Sequence, residues 1–408
     1  MGSVTRMSLI ASLFVVLSVT AHADVITDWN ASTFDIMRAA KVDGAPAART
    51  LAIVHVSMAD AVNTVQNRYT RYAYRGKLQP AASPEAAAAS AARSALMTLF
   101  PTQRTRIEEA YTATTHAIPD TPAKDAGRMI GGEAAAAVIA DRANDNTTVP
   151  DTYRPLTTPG TWIPTTPPIT AQYARAKPWG FERPDQFRPE LPRALASAEY
   201  ARDYNETKDL GGTLSARRTR EQTEAVKFWS QPNLGLAWHQ AARQLATVHR
   251  VELVDCARLF ALLSIGHANS FIVDWDAKFH YNFWRPVTAI RNGDMDGNDS
   301  TERDAGWVPL NATPMHPEYP SQASIQGGVA SAVLTMALGE ASAGALTIAD
   351  SADPKITRQF ASIAALAEEQ RMVRIWGGIH FRTSLDVSDR MGRAVVGHMA
   401  ETAFWPVH

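Results

Sequence analysis

Residues 251–276 are apolar and helical in period, with Leu253, Ala257, Phe260, Leu263 and His267 placed to share one face. A helix there sets Lys278 at the end of a rigid rod. No segment alternates polar and apolar residues for long enough to predict a strand, and no repeat of fixed period is present. The chain is therefore expected to be all-α, its helices bundled around whatever the end of that rod presents.

Other helices are expected at residues 46–65, where Leu51, Val54, Met58, Ala61 and Val65 recur at helical steps, and at 83–100, with Ser83 as N-cap and Pro84 in the first turn. Pro101 ends that helix and starts another, through Tyr111. Further helices are expected at 121–143, 194–210, 215–229, 236–247, 320–338, 357–374 and 384–404. Residues 144–192 break the pattern with Pro and Thr, which exclude helix over much of the segment. Trp162, Trp179 and Phe181 argue for an ordered crossover against the helices rather than a solvated linker. This divides the chain into 24–143, a helical region opening on a polar lead that contains Trp29; 144–192, the crossover; and 193–408, a second helical region.

Residues 1–23 are expected to be a secretory signal. Arg6 is followed by an apolar run over 7–19 and by the cleavage motif Ala21-His22-Ala23. The run is short for a stable membrane anchor, so a periplasmic or secreted protein is expected. Cys256 is the sole cysteine, which excludes an intramolecular disulfide and fits a buried thiol. With a formal net charge of −1, nothing points to a nucleic-acid partner or an anionic membrane surface. A homo-oligomer is compatible with this composition.

Three clusters carry the chemistry: Lys278-Phe-His-Tyr-Asn-Phe-Trp-Arg285-Pro286, then His316-Pro-Glu-Tyr-Pro-Ser321-Gln322-Ala323, then Arg374-Ile-Trp-Gly-Gly378-Ile-His380. Lys278, Arg285 and Arg374 supply positive charge, and Ser321 opens a helix whose first amides bind anions. Such a set suits a compact oxyanion, with His380 left as nucleophile or metal ligand. A lone Lys–Arg pair is ordinarily a solvated face and a lone His ordinarily a core residue; the three ordered clusters argue against both.

These motifs resemble the signature of the superfamily that joins vanadium-dependent haloperoxidases with type 2 phosphatidic acid phosphatases and bacterial acid phosphatases, and the wording is most similar to the bacterial haloperoxidase branch. The resemblance implies helix bundles around a buried vanadate or phosphate. Lys278, Arg285, Ser321, Gln322, Arg374 and Gly378 would bind it. His380 would be the vanadium ligand or the nucleophile on phosphorus, and Lys278 would polarise the bound reactant. Hydrogen peroxide, a halide and an organic acceptor, or a phosphoester, would be the substrates.

The sequence departs from that signature. Gln322-Ala323 replaces Gly-His, which removes the family's acid–base histidine; His316, Glu318 and His280 are the nearby candidates to replace it. Val373 stands where the family has Ser before the arginine. Ser384 stands where an Asp often orients the histidine, with Asp386 two residues later. Three readings follow: a haloperoxidase impaired at Ala323, a phosphatase acting through phospho-His380, and an oxyanion binder without activity. Asp294, Asp296 and Asn298 resemble a calcium loop but lack its Gly and Glu, and His239, His249 and His267 lack zinc-site pairing.

Overall fold

The apolar stretch is a 29-residue helix, α9 (Leu253–Tyr281), buried along nearly its whole length. A helix with no polar face needs neighbours all round. α2 (Gly44–Gln66) and α11 (Gln322–Leu338) both pack along it. α3 (Pro84–Leu99) and α5 (Pro122–Asp141) pack on α2 and on each other, and α13 (Arg382–Thr402) packs on α11. The computed structural model describes residues 25–230, 234–339 and 344–407. The expected secretory signal lies outside them.

The remaining helices are α1 (Val25–Ala39), α4 (Arg104–Thr115), α6 (Ala198–Gly211), α7 (Arg220–Trp229), α8 (Leu234–Val248), α10 (Pro286–Arg291) and α12 (Ile363–Trp376). The fold is all-α, and one hydrophobic core runs through both helical regions. Local chemistry sets several boundaries. Ser83 caps α3 by accepting from the Ala86 amide, and Thr219 and Gln222 cap α7 reciprocally. Glycine sets close helix contacts: a Cβ at Gly328 of α11 would lie 2.5 Å from the Asp389 carbonyl oxygen, and one at Gly392 of α13 would lie 2.4 Å from that of Ile325.

Three expectations are corrected. The polar lead is α1, with Ile26 and Trp29 fully buried. Its polar residues Asn30 and Thr33 are buried too and bonded internally, which hid the helical stripe. A short antiparallel hairpin pairs β1 (Leu346–Ala349) with β2 (Thr357–Phe360), and β2 occupies the start of the segment 357–374 read as one helix. Four-residue strands are too short to show alternation, and α12 starts only where Ser362 caps it from the Ala365 amide. Lys278 lies within the last turn of α9 rather than beyond it.

The crossover lies along α9. Asn269 clamps the Trp179 backbone, accepting from its amide at 2.8 Å and donating to its carbonyl at 2.9 Å. Trp162 and Trp179 are buried, and Ile169 and Thr170 reach the cavity described next.

Candidate active site

The turn between α12 and α13 delivers His380. Gly378 takes φ +74° there, and a Cβ on it would meet the Gly211 carbonyl oxygen at 2.5 Å, so the turn admits glycine alone. The segment ahead of α11 delivers His316 and Glu318. Glu318 is fully buried. Its Oε1 lies 2.8 Å from His380 Nδ1 and accepts from the Phe381 amide at 2.9 Å, while Oε2 accepts from Ser384 Oγ at 2.7 Å.

Arg285 joins the two histidines. Its Nη1 lies 3.1 Å from His380 Nε2 and its Nη2 lies 3.0 Å from His316 Nδ1. A guanidinium only donates, so both nitrogens accept. His380 therefore carries its proton on Nδ1, toward Glu318, and His316 carries its proton on Nε2. The Pro317 carbonyl, 3.3 Å from His316 Nδ1, is the weaker contact. Arg285 is further tied to the carbonyls of His316 and Ile379, at 2.9 and 2.8 Å. Burial holds His380 well below the usual histidine range, and the charges of Arg285, Lys278 and Arg374 push the same way. Burial raises the Glu318 carboxyl, against the bonds from Phe381 and Ser384.

Lys278 faces the protein. Its ammonium donates to the carbonyls of Pro317 at 3.0 Å, Glu318 at 2.9 Å and Pro320, which uses all three protons. Asp274, one turn back on α9, has Oδ2 3.7 Å from the same nitrogen, and both side chains are 0% exposed. Burial pushes the lysine down and the aspartate up.

A cavity of about 430 Å³ opens against this cluster, lined at this end by His316, Gln322, Ala323, Arg374, Ile379 and His380. Arg374 is the cation on its wall, with Nε buried and without a hydrogen-bond partner. Gln322 Nε2 donates to Ser270 Oγ at 3.3 Å. Lys278, Arg285, Ser321 and Gly378 stand outside the lining. The Ser321 amide donates to Ser388 Oγ at 2.7 Å and its hydroxyl accepts from Ser324. His280 is exposed beside Tyr281, away from the cavity. Asp386 pairs with Arg371 and not with His380. The carboxylate that orients His380 is Glu318, and Ser384, at the position of the family's Asp, holds that carboxylate.

These groups fit an oxyanion such as vanadate. Arg374 Nε has no partner, and α11 begins at Gln322, where the first amides have no partner within the helix; the His380 Nε2 lone pair accepts from Arg285 Nη1, so Arg285 would have to shift for His380 to ligate the anion. Lys278 would have to leave backbone carbonyls to join them.

Comparison with known proteins bears on the fold. Residues 258–405 match the family described as the VCPO second helical-bundle domain. The vanadium chloroperoxidase of Curvularia inaequalis is 25% identical over a stretch covering 35% of this chain and 28% of its own length, so the match takes in little more than a quarter of that relative. Among solved structures, a bacterial vanadium-dependent iodoperoxidase superposes with a TM-score of 0.78 at 22% identity, over 93% of this chain and 96% of its own. An apo-type bacterial vanadium-dependent chloroperoxidase superposes with a TM-score of 0.71 at 17% identity, over 87% and 92%. Residues 258–405 are thus similar to the VCPO second helical-bundle domain, and the chain has the all-α fold of the vanadium haloperoxidases.

Proposed function

We propose that the chain is an exported vanadium-dependent haloperoxidase, oxidising a halide with hydrogen peroxide at vanadate held by His380. The observation that carries this reading is the Glu318–His380 pair, whose neutral imidazole has its lone pair on Nε2, where Arg285 now donates, at the cavity end that Arg374 also lines. Bound vanadate would supply the electrophilic centre that activates peroxide toward a halide.

The chain's own residues do the rest. Glu318 holds His380 in one tautomer and raises its basicity as a ligand. Arg374 and the N-terminus of α11 offset the negative charge of the anion. Ala323 moves no proton. His316 lines the same end of the cavity with its proton on Nε2, and it is the group we assign to proton transfer in place of a histidine at 323. The aromatic stack on Trp275, with ring centroids 4.8 Å apart, holds His316 in position.

The same pair also makes Nε2 a nucleophile toward phosphorus, which supports phosphoester hydrolysis as the second reading. Calorimetric titration of the purified protein with vanadate, and of His380→Ala beside it, tests the site itself. Saturable binding lost in the variant supports both readings, and absence of binding at millimolar anion removes both. The Ala21-His22-Ala23 motif supports export, and N-terminal sequencing of the exported protein should begin at Asp24.

A further inference from the structure

One face of α6 grips the turn that delivers His380. Along that face Asp203 Oδ2 accepts from the Thr383 amide at 2.9 Å, Glu206 pairs with Arg382, Thr207 Oγ1 donates to the His380 carbonyl at 3.1 Å, and Gly211 packs on Gly378. Residues 203, 207 and 211 recur at helical steps, so a single stripe follows the turn in reverse order.

Thr207 is the member of the stripe that touches the histidine itself, and it is fully buried. A threonine inside a helix commonly gives its hydroxyl proton to the carbonyl four residues back, as Thr33, Thr50, Thr64, Thr247 and Thr402 do here. Thr207 gives its proton instead to His380, 173 residues away in the chain. The carbonyl it meets lies one residue ahead of Phe381, the N-cap of α13, whose own carbonyl takes the Leu385 amide. A buried carbonyl outside the helix needs a donor from elsewhere. The same peptide unit is held at its other end, where the Phe381 amide donates to Glu318 Oε1 at 2.9 Å. One peptide plane is thus fixed by α6 on its oxygen and by the segment ahead of α11 on its nitrogen.

Arg285 adds a hold that anion binding would disturb. Its Nη1 donates both to the Ile379 carbonyl and to His380 Nε2. An anion that takes the Nε2 lone pair displaces Arg285 from the histidine, just when the imidazole has to stay in place. The Thr207 bond involves neither Arg285 nor the ring, so it survives that exchange. We propose that Thr207 is a positioning residue for His380, its hydroxyl fixing the main chain so that Nε2 stays aimed at the anion once Arg285 has moved. Glu318 sets which nitrogen carries the proton, and Thr207 sets where the ring stands. The inference rests on His380 as the anion's ligand, and one arm of its test needs no anion.

The test compares three variants. Thr207→Val keeps the shape and removes the hydroxyl, Thr207→Ser keeps the hydroxyl, and Asp203→Ala loosens α6 from the turn without touching the histidine. In hydrogen exchange without anion, the Ile379 and Phe381 amides should open at least about tenfold faster in Thr207→Val, with α9 amides unchanged and protection restored in Thr207→Ser. In calorimetric titration, vanadate affinity should fall at least about tenfold in Thr207→Val, the lower end of the effect of losing a ligand's supporting partner. It should be nearly unchanged in Thr207→Ser and Asp203→Ala. Equal weakening by Thr207→Val and Asp203→Ala would overturn the proposal, as would a Thr207→Val protein that exchanges and binds like the unmodified one. Absence of vanadate binding by the unmodified protein would remove the reading of His380 and leave the exchange rates to decide on Thr207. Should Thr207→Val not fold, the unmodified protein decides: a peptide held at both ends should exchange as slowly as the interior of α9, and a Phe381 amide that exchanges like an exposed loop would overturn the proposal.

Discussion

His380 Nδ1 lies 2.8 Å from Glu318 Oε1, although the two residues are 62 positions apart in the chain. This carboxylate, rather than Asp386, sets the tautomer of the histidine. Glu318→Gln keeps the shape and removes the charge, so vanadate affinity should fall about 10- to 100-fold, the usual effect of losing such a partner. Ser384→Ala, which removes one bond to the carboxylate, should have the smaller effect. Calorimetric titration of both variants checks the order.

Lys278 and Arg374 should separate stability from anion binding. Lys278→Met leaves Asp274 without its cation and three buried carbonyls without a donor, and should destabilise the fold by about 3–5 kcal/mol. Arg374→Met removes a buried guanidinium whose Nε has no partner. It should leave denaturant midpoints unchanged or raised while weakening vanadate binding at least about tenfold. Urea unfolding and calorimetry on the two variants measure both quantities. The reverse assignment would place the lysine on the anion.

Proton transfer should pass through His316. Ala323 lines the cavity with room beside it, and Gln322 is helical and absent from the positive-φ residues, so no glycine is needed ahead of it. Ala323→His alone should therefore raise halogenation turnover at least about tenfold, the lower part of the acid–base range. His316→Phe should lower turnover in the unmodified chain and matter little beside Ala323→His. Steady-state kinetics of the four proteins decide this. An unmodified rate indifferent to His316→Phe would exclude the role.

Acid should unfold this protein early. His55 is lowered by burial to about 3 and His267 to about 4, and His239, His316 and His380 are lowered as well. An unfolded histidine titrates near 6.5. Below that pH the unfolded chain takes up protons that the folded chain refuses, so stability present above pH 6.5 is lost as pH falls toward 4, by up to about 1.4 kcal/mol per pH unit for each imidazole. Asp274 and Glu318, raised by burial, act with the opposite sign, as do Asp28, Asp60 and Asp203, while Glu108, Asp120, Asp141 and Glu224, which are lowered, act with the histidines. Urea midpoints at pH 7.5, 5.5 and 4.5 should fall in that order; a flat series would contradict the protonation states assigned to the site.

The sequence made much of the fold readable. The helical period carried α2, α3, α5 and α9, and Ser83 and Pro84 marked a true helix start, because these signals are local. α1 escaped because its inward stripe includes Asn30 and Thr33, whose partners lie elsewhere in the fold. At the site, the glycine pair and the histidine after it were legible from a short motif. The Glu318 contact was not, since a distant carboxylate becomes a partner only once α11, α12 and α13 have packed. Lys278 shows the same limit: its place on the helix was readable, but the three carbonyls it meets come from the turn ahead of α11.

Halogenation dependent on vanadate is the most direct measure of what His380 does. Protein stripped of anions should be incubated with vanadate, hydrogen peroxide and bromide, and bromination of an added phenol followed over time, beside a phosphomonoester assay without vanadate. Bromination that appears only on vanadate loading, is suppressed by excess phosphate and is lost in His380→Ala is the predicted result. Hydrolysis of the phosphoester with no bromination at saturating vanadate would contradict it and assign His380 to phosphoryl transfer.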